Sequence, residues 1–384
     1  NNIEQKHYSL GIYNIDSEEV EWIIDDPKRN VEDFSIPRIG NYILVSEFEK
    51  AKESVSVIDI NTMEEKQLPR IAGNYYPIAP LNEKEWIGKY YSSTQPDDIV
   101  KFSIDKINIE SFTSLTNVWK KTKLQKSELT PAEDFDWKSH DNIDVHGWLY
   151  KSRTPNGKAI VYVHGGPTAH SEDKINPQIQ YFTQLGFNVL DPNYRGSTGY
   201  GIEFEDSIRE RGWGADEQED ILTGIQTLIS KELVKKGQVG ITGTSYGGYS
   251  AWFAITKAPK DIVAASAPIC GMTDLVIDYD TTRPDLRPLS AEMMGGTPIE
   301  VPEIYFERSP INFVQDIKGK LLIIQGGQDP NVSPKNVEEV RKKLIEYNID
   351  HQEFIFEDEG HGILKVKNQK ILFSMLATFF EKSL

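Results

Sequence analysis

The stretch Val239-Gly240-Ile241-Thr242-Gly243-Thr244-Ser245-Tyr246-Gly247-Gly248-Tyr249-Ser250-Ala251-Trp252-Phe253-Ala254 decides how the rest of the chain is read. A short apolar strand runs into Gly-Thr-Ser-Tyr-Gly, and an apolar helical segment follows directly. A G-x-S-x-G placed between strand and helix is a nucleophile elbow, a tight turn that strains the serine backbone and presents its hydroxyl at the top of a sheet. Side chains at Gly243 and Gly247 would collide with the neighbouring strand and helix. Out of that context the five residues would read only as a glycine-rich turn.

A serine hydroxyl is a weak nucleophile at neutral pH and needs a base held by an acid. The chain has seven histidines: His7, His140, His146, His164, His170, His351 and His361. His361 follows the strand-like Phe354-Ile355-Phe356, sits between Gly360 and Gly362, and precedes the last helix, which is where an α/β-hydrolase carries its base. His351 is the nearest competitor, but it begins a strand. Asp329 follows the strand Leu321–Gln325 through Gly326-Gly327-Gln328, one strand before His361, and is the expected acid. Asp274 and Asp278 are alternatives after the preceding strand. The developing oxyanion needs donors, expected from the backbone N–H of Tyr246 and from Gly166 in His164-Gly165-Gly166-Pro167. His164 is expected to pack under that loop rather than act as a second base.

Outward from the elbow, strands and helices alternate. Strands are expected at 159–163, 188–190, 239–242, 262–267, 321–325 and 352–356, and helices at 176–185, 215–230, 246–257, 334–347 and 366–382. This pattern predicts a mainly parallel, doubly wound sheet with helices on both faces. A hairpin, Phe135–Lys138 with Val145–Tyr150, opens it. Lys120–Pro131 is polar and lysine-rich and reads as a linker. Residues 1 to about 118 instead show short alternating runs and no helical period. Three of them, Gly11–Asp16, Val57–Asn61 and Val100–Asp105, read as one repeated strand, with Ile15, Ile60 and Ile104 lying 45 and 44 residues apart. A period of that size with about four short strands marks propeller blades. The expected domains are therefore a partial β-propeller of about two and a half blades plus linker over 1–125, and an α/β-hydrolase domain over 126–384. So few blades leave strand edges unpaired; upstream blades of a longer protein, or a second copy of the chain, are expected to complete them.

Bulk properties exclude several classes. With 384 residues, 38 % hydrophobic and 26 % charged, the chain is a folded two-domain protein. A net charge of −17 disfavours nucleic acid and anionic membranes as partners. The apolar run Ile371–Phe380 is too short to span a bilayer. Cys270 is the sole cysteine, which rules out an internal disulfide and fits a cytoplasmic, reducing compartment. The histidines lack metal-ligand spacing, so no metal and no cofactor is expected. The glycine-rich stretch Asn193–Gly201 matches no phosphate-binding fingerprint and reads as a structural loop.

Taken together, the runs His164–Pro167, Asn193-Tyr194-Arg195-Gly196-Ser197-Thr198-Gly199-Tyr200-Gly201, Gly212-Trp213-Gly214 with Asp220, Gly243–Tyr249, Gly327–Pro330 and Glu359–Gly362 resemble the prolyl oligopeptidase family, in particular its acylaminoacyl-peptidase and dipeptidyl-peptidase IV-like branches. The resemblance covers about residues 130–384. It implies a serine peptidase acting on short peptides through Ser245, Asp329 and His361 beneath a propeller. A carboxylesterase on the same scaffold is the alternative. It also implies an apolar pocket for the residue before the scissile bond, formed by Ile269, Met272, Leu275 and Val332 with Tyr246. One position departs from the pattern: relatives often carry Arg two residues after the catalytic Asp, and Asn331 stands there. Arg195 reads as a structural ion-pair residue.

Overall fold

The computed structural model describes residues 8–27 and 29–384; His7 lies outside them. The chain forms two compact units. One comprises residues Asn1–Ala132 with Glu172–Asn176 and Ser197–Glu205, the other Glu133–Ser171, Pro177–Gly196 and Asp206–Leu384.

The first unit is mainly β. Strands β1 (Leu10–Asn14) and β2 (Glu19–Ile24) form a two-stranded sheet. Strands β3 (Asn30–Ser35), β4 (Tyr42–Glu49), β5 (Lys52–Asp59) and β6 (Glu65–Gln67) form an antiparallel four-stranded sheet in sequence order. A second antiparallel sheet follows in the same way from β7 (Asn74–Pro80), β8 (Glu85–Ser92), β9 (Gln95–Ser103) and β10 (Thr113–Ser114). Of the three strands linked by the repeat, β5 and β9 are each third in a four-stranded sheet. The third, β1, pairs with its successor just as they do. Alternation along β4 explains the packing. Ile43 and Val45 enter a core with Leu10, Ile24, Val31 and Ile58, whereas Leu44 enters another with Trp86, Tyr90 and Phe102. The middle sheet is thus apolar on both faces, as stacked blades require. The stretch read as a linker is ordered rather than free. It makes 3-10 turns at Val118–Lys121 and Lys126–Glu128, Trp119 Nε1 donates to Gln95 Oε1 at 2.8 Å, and Leu129 and Thr130 are buried. Its lysines point to solvent and hide this from a compositional reading.

The second unit is an eight-stranded sheet. Its strands are β11 (Ala132–Lys138), β12 (Asp144–Tyr150), β13 (Ala159–Val163), β14 (Asn188–Asn193), β15 (Val239–Thr244), β16 (Ala265–Ile269), β17 (Lys320–Gly326) and β18 (Gln352–Phe356). The spatial order is β11-β12-β14-β13-β15-β16-β17-β18, parallel from β14 onward. The helices are α1 (Pro177–Gln184), α2 (Ile202–Asp206), α3 (Ile208–Arg211), α4 (Asp216–Ser230), α5 (Tyr246–Lys257), α6 (Leu275–Thr281), α7 (Arg287–Met294), α8 (Pro302–Arg308), α9 (Lys335–Glu346) and α10 (Val366–Ser383); all but α2, which falls almost wholly in the first unit, belong to this one. Phe182 of α1 meets Phe380 of α10 edge to face at 5.9 Å. The architecture is an α/β-hydrolase sheet preceded by propeller-type sheets.

The order fixes where a site belongs. The chain steps from β13 outward to β14, then returns past it to β15, so the order reverses between β13 and β15. Ligands sit outside the carboxyl ends of strands at such a reversal. The loop carrying Gly166 leaves β13, and Ser245 leaves β15. Strand β16 ends two residues later than expected, beyond Pro268. Its ladder to β17 pairs Ser266 and Ile269 but skips Ala267 and Pro268, which accommodates a residue with no N–H.

Candidate active site

Ser245 lies at the N-cap of α5 with φ 63° and ψ −120°, a conformation costly for a side chain other than glycine's. The flanking glycines are what the turn demands. A Cβ on Gly243 would lie 2.3 Å from Val163 O, and one on Gly247 would lie 2.0 Å from the same atom. The strained serine is held by two backbone bonds: its N–H donates to Ile269 O at 3.0 Å, and its carbonyl accepts from Tyr249 N at 2.9 Å.

The loops after β17 and β18 are stitched together. Gly327 N donates to Phe356 O and Gln328 N to Glu359 O, each at 2.9 Å. This brings Asp329 and His361 side by side although 31 residues separate them in the chain. His361 Nδ1 lies 2.8 and 2.9 Å from the two carboxylate oxygens of Asp329, and its Nε2 lies 2.9 Å from Ser245 Oγ. Asp329 Oδ1 also accepts from Asn331 N at 2.8 Å and Val332 N at 3.0 Å, which fixes the carboxylate plane. Glu359 accepts from Lys365 N at 3.0 Å and Asn368 Nδ2 at 2.6 Å, anchoring the histidine loop to the start of α10. His351 turns its Nδ1 to Ile349 O and belongs to another part of the sheet edge. Asp274 caps α6 through Val276 N and Ile277 N.

A pocket of about 240 Å³ opens beside these groups, lined in part by Gly166, Trp213, Ser245, Tyr246, Met272 and Val332, together with His361. Of the pocket residues implied by the family resemblance, Met272, Val332 and Tyr246 line it. Ile269 and Leu275 do not, and this corrects the expectation. Ile269 ends a strand hydrogen-bonded on both sides, and Leu275 begins α6 with its side chain in the main core; each is 2 % exposed. The remaining lining was not foreseen: Asp278, Thr282, Leu286, Leu289, Ser290 and Asn331. Asp278 had been noted only as an alternative acid. Two larger hollows, of about 290 and 490 Å³, are lined by no histidine and offer a serine no base.

Tyr246 has a buried anchor that sequence reading missed. Its hydroxyl donates to Glu217 Oε1 at 2.8 Å, while Glu217 Oε2 accepts from Ala215 N at 2.9 Å. Burial pushes the Glu217 carboxyl above its usual range, and the hydrogen bonds from Gln218, Tyr246 and the backbone oppose that. This bond commits the phenol to Glu217 and pins the ring in the interior, 1 % exposed. The run Gly212-Trp213-Gly214 was the visible trace of this loop. His164 stacks on Tyr194 with ring centroids 4.4 Å apart, and desolvation lowers its imidazole to about 4, so it stays neutral at pH 7. Arg195 is an ion-pair residue. It donates Nε to Asp220 at 2.9 Å and Nη1 to Asp141 at 2.8 Å, and that guanidinium holds Asp141 down to about 2. His140, Asp141 and Asp216 have ligand atoms within 4.8 Å of one another, but Arg195 and Arg211 already occupy both carboxylates.

No described helix is long and apolar enough to cross a membrane. The model of the prolyl oligopeptidase family matches residues 174–384. The chain is 27 % identical over 333 residues to dipeptidyl peptidase family member 6 of Caenorhabditis elegans, covering 79 % of this chain and 44 % of that one. It is 29 % identical to dipeptidyl aminopeptidase BIII of Pseudoxanthomonas mexicana, covering 79 % and 45 %. Among solved structures, the Pyrococcus horikoshii acylaminoacyl peptidase superposes with TM-score 0.79 at 23 % identity, over 99 % of this chain and 59 % of that one. A Mycobacterium tuberculosis puromycin-hydrolysing peptidase gives TM-score 0.81 at 21 % identity, over 96 % and 57 %. The chain therefore spans somewhat under half the length of these curated relatives.

Proposed function

The chain belongs to the prolyl oligopeptidase family, and from that premise we propose that it is a serine peptidase that hydrolyses short peptides through an acyl-enzyme. The observation that carries the reading is the continuous chain Ser245 Oγ–His361 Nε2, His361 Nδ1–Asp329, with every link at 2.9 Å or less. Ser245 Oγ attacks the scissile carbonyl while His361 Nε2 takes its proton. Asp329 holds the imidazole in the tautomer with Nε2 free and stabilises the imidazolium that forms. The N–H groups of Tyr246 and Gly166 receive the oxyanion, a contribution worth about 10²–10³ in turnover per donor. His361 then gives its proton to the leaving amine, and water repeats the sequence on the acyl-enzyme.

Short peptides are the substrate class because two of the relatives are named as dipeptidyl peptidases and a third as an acylaminoacyl peptidase. A carboxylesterase would use the same groups with an alkoxide leaving. A panel of peptide anilides and aryl esters separates the two. Amide cleavage abolished by Ser245→Ala supports the peptidase; ester turnover without amide cleavage replaces it with the esterase. The lone, buried Cys270 agrees with a reducing compartment such as the cytoplasm.

A further inference from the structure

The part of the pocket lining that comes from α6 and α7 takes no part in that chemistry, yet it carries a carboxylate. Asp278 lies on α6, is 5 % exposed, and lines the pocket with Thr282, Leu286 and Ser290. None of the lining residues is Lys or Arg. Among the described residues, Asp278 Oδ1 has no hydrogen-bond partner, and neither has Asn331 Oδ1 in the same lining. A buried acceptor left unpaired is destabilising, and a carboxylate more so. Burial first, and then the neighbouring Asp329 and Asp274 charges, push Asp278 up to about 7 against a hydrogen bond from Asn336. Apart from these groups much of the lining is apolar: Met272, Val332, Leu286 and Leu289. Trp213 contributes one unpartnered donor, its Nε1.

Two buried, unpartnered oxygens among an otherwise largely apolar lining call for a group that only donates and is charged, carried on an aliphatic stem. Ammonium and guanidinium side chains have that build. We propose that the pocket selects a basic side chain, lysine or arginine, on the residue preceding the scissile bond. The stem lies along Met272, Val332 and Leu286, and the cation pairs with Asp278 and donates to Asn331 Oδ1. The inference rests on Ser245 being the nucleophile. A neutral apolar side chain would fill the pocket and leave both acceptors unpaired, the kind of mismatch that sites built for hydrogen bonding reject strongly.

The test uses the full chain and N-acylated substrates with Arg, Lys, citrulline or Leu before an anilide, repeated as the corresponding aryl esters. Blocking the N-terminus removes the substrate's α-ammonium, the other source of a cation. The expected result is a preference of roughly 10²-fold in kcat/KM for Arg and Lys over citrulline and Leu, carried mostly by KM. Asp278→Asn should bring the Arg-to-citrulline ratio towards one. Benzamidine should inhibit the unmodified protein competitively while benzamide does not, a readout independent of any variant's folding. Equal use of arginine and citrulline overturns the proposal, as does a ratio unchanged by Asp278→Asn. A preference seen only with free N-termini assigns the cation to the α-ammonium and overturns it too. Absence of all amide cleavage overturns the peptidase reading alone, since the ester series still reports the preference.

Discussion

The pocket has two walls of opposite character. The strand-end wall carries Ser245, Asp329 and His361, and these three are linked and braced: Asp329 alone accepts from Asn331 N, Val332 N and the His361 ring. The helical wall, α6 and α7, carries Asp278 with an oxygen that has none. A satisfied network is stiff, and it holds groups in the geometry that a reaction needs. An unsatisfied one retains an acceptor that a donor could still pair. The contrast predicts that changes to the first wall act on turnover and changes to the second on which substrate is turned over.

The sharpest way to break that contrast is at the nucleophile. Ser245→Ala should lower kcat about 10⁴-fold or more on both anilides and aryl esters; retention of most activity would show that the satisfied wall is not the reacting one. Asp329→Asn follows, with a loss approaching about 10⁴-fold in kcat, because the amide favours the wrong tautomer of His361 while leaving the shape intact. A variant that altered KM alone would move Asp329 to the binding side of the comparison. Glu217→Gln reaches the site only through Tyr246. Its charge-assisted bond to the phenol is weakened, and a drop of about tenfold in kcat with a lowered thermal midpoint is expected; rescue of kcat in a Glu217→Asp variant would mark a positioning role. The smallest effect concerns His164. Its folded value of about 4 lies below the unfolded one, so as pH falls from about 6.5 towards 4 the unfolded chain takes up a proton that the native one refuses. The protein should lose urea resistance relative to His164→Phe across that window and not above it. Parallel curves down to pH 4 would show that the ring is not desolvated.

The legibility of the sequence follows the same division. The strand-end wall was readable because its constraints are local: Gly243 and Gly247 are forced by contact with Val163 O, and Asp329 and His361 each follow an apolar strand at a short, glycine-rich offset. Long elements such as α4, α5, α9 and α10 carry enough turns for their period to be read. The helices α6, α7 and α8 have 7, 8 and 7 residues, too few to display a helical period, and they were missed. Asp278 therefore entered the reading only as a spare acid. Pro302 at the start of α8 was the available signal. Ile269 and Leu275 were misplaced for a related reason: apolar character marks both core and pocket, and only three-dimensional position separates them. In the first unit the repeat located β5 and β9 correctly, whereas the ordered 3-10 turns after β10 are held by Trp119, Leu129 and Thr130, which a lysine-rich composition conceals.

The stitching of the β17 and β18 loops has a consequence for how the protein comes into being. His361 is placed by the last strand of the chain, Asp329 by the one before it, and Ser245 by a strand more than a hundred residues earlier. Parallel strands pair only after long loops close, so such contacts form late in folding. No partly folded species that lacks β18 can assemble the three groups. On the proposed mechanism, reaction of Ser245 with a mechanism-based phosphonate would serve as a clock for completion of the whole sheet, and during refolding it should appear with the last structural phase rather than with the burst of secondary structure.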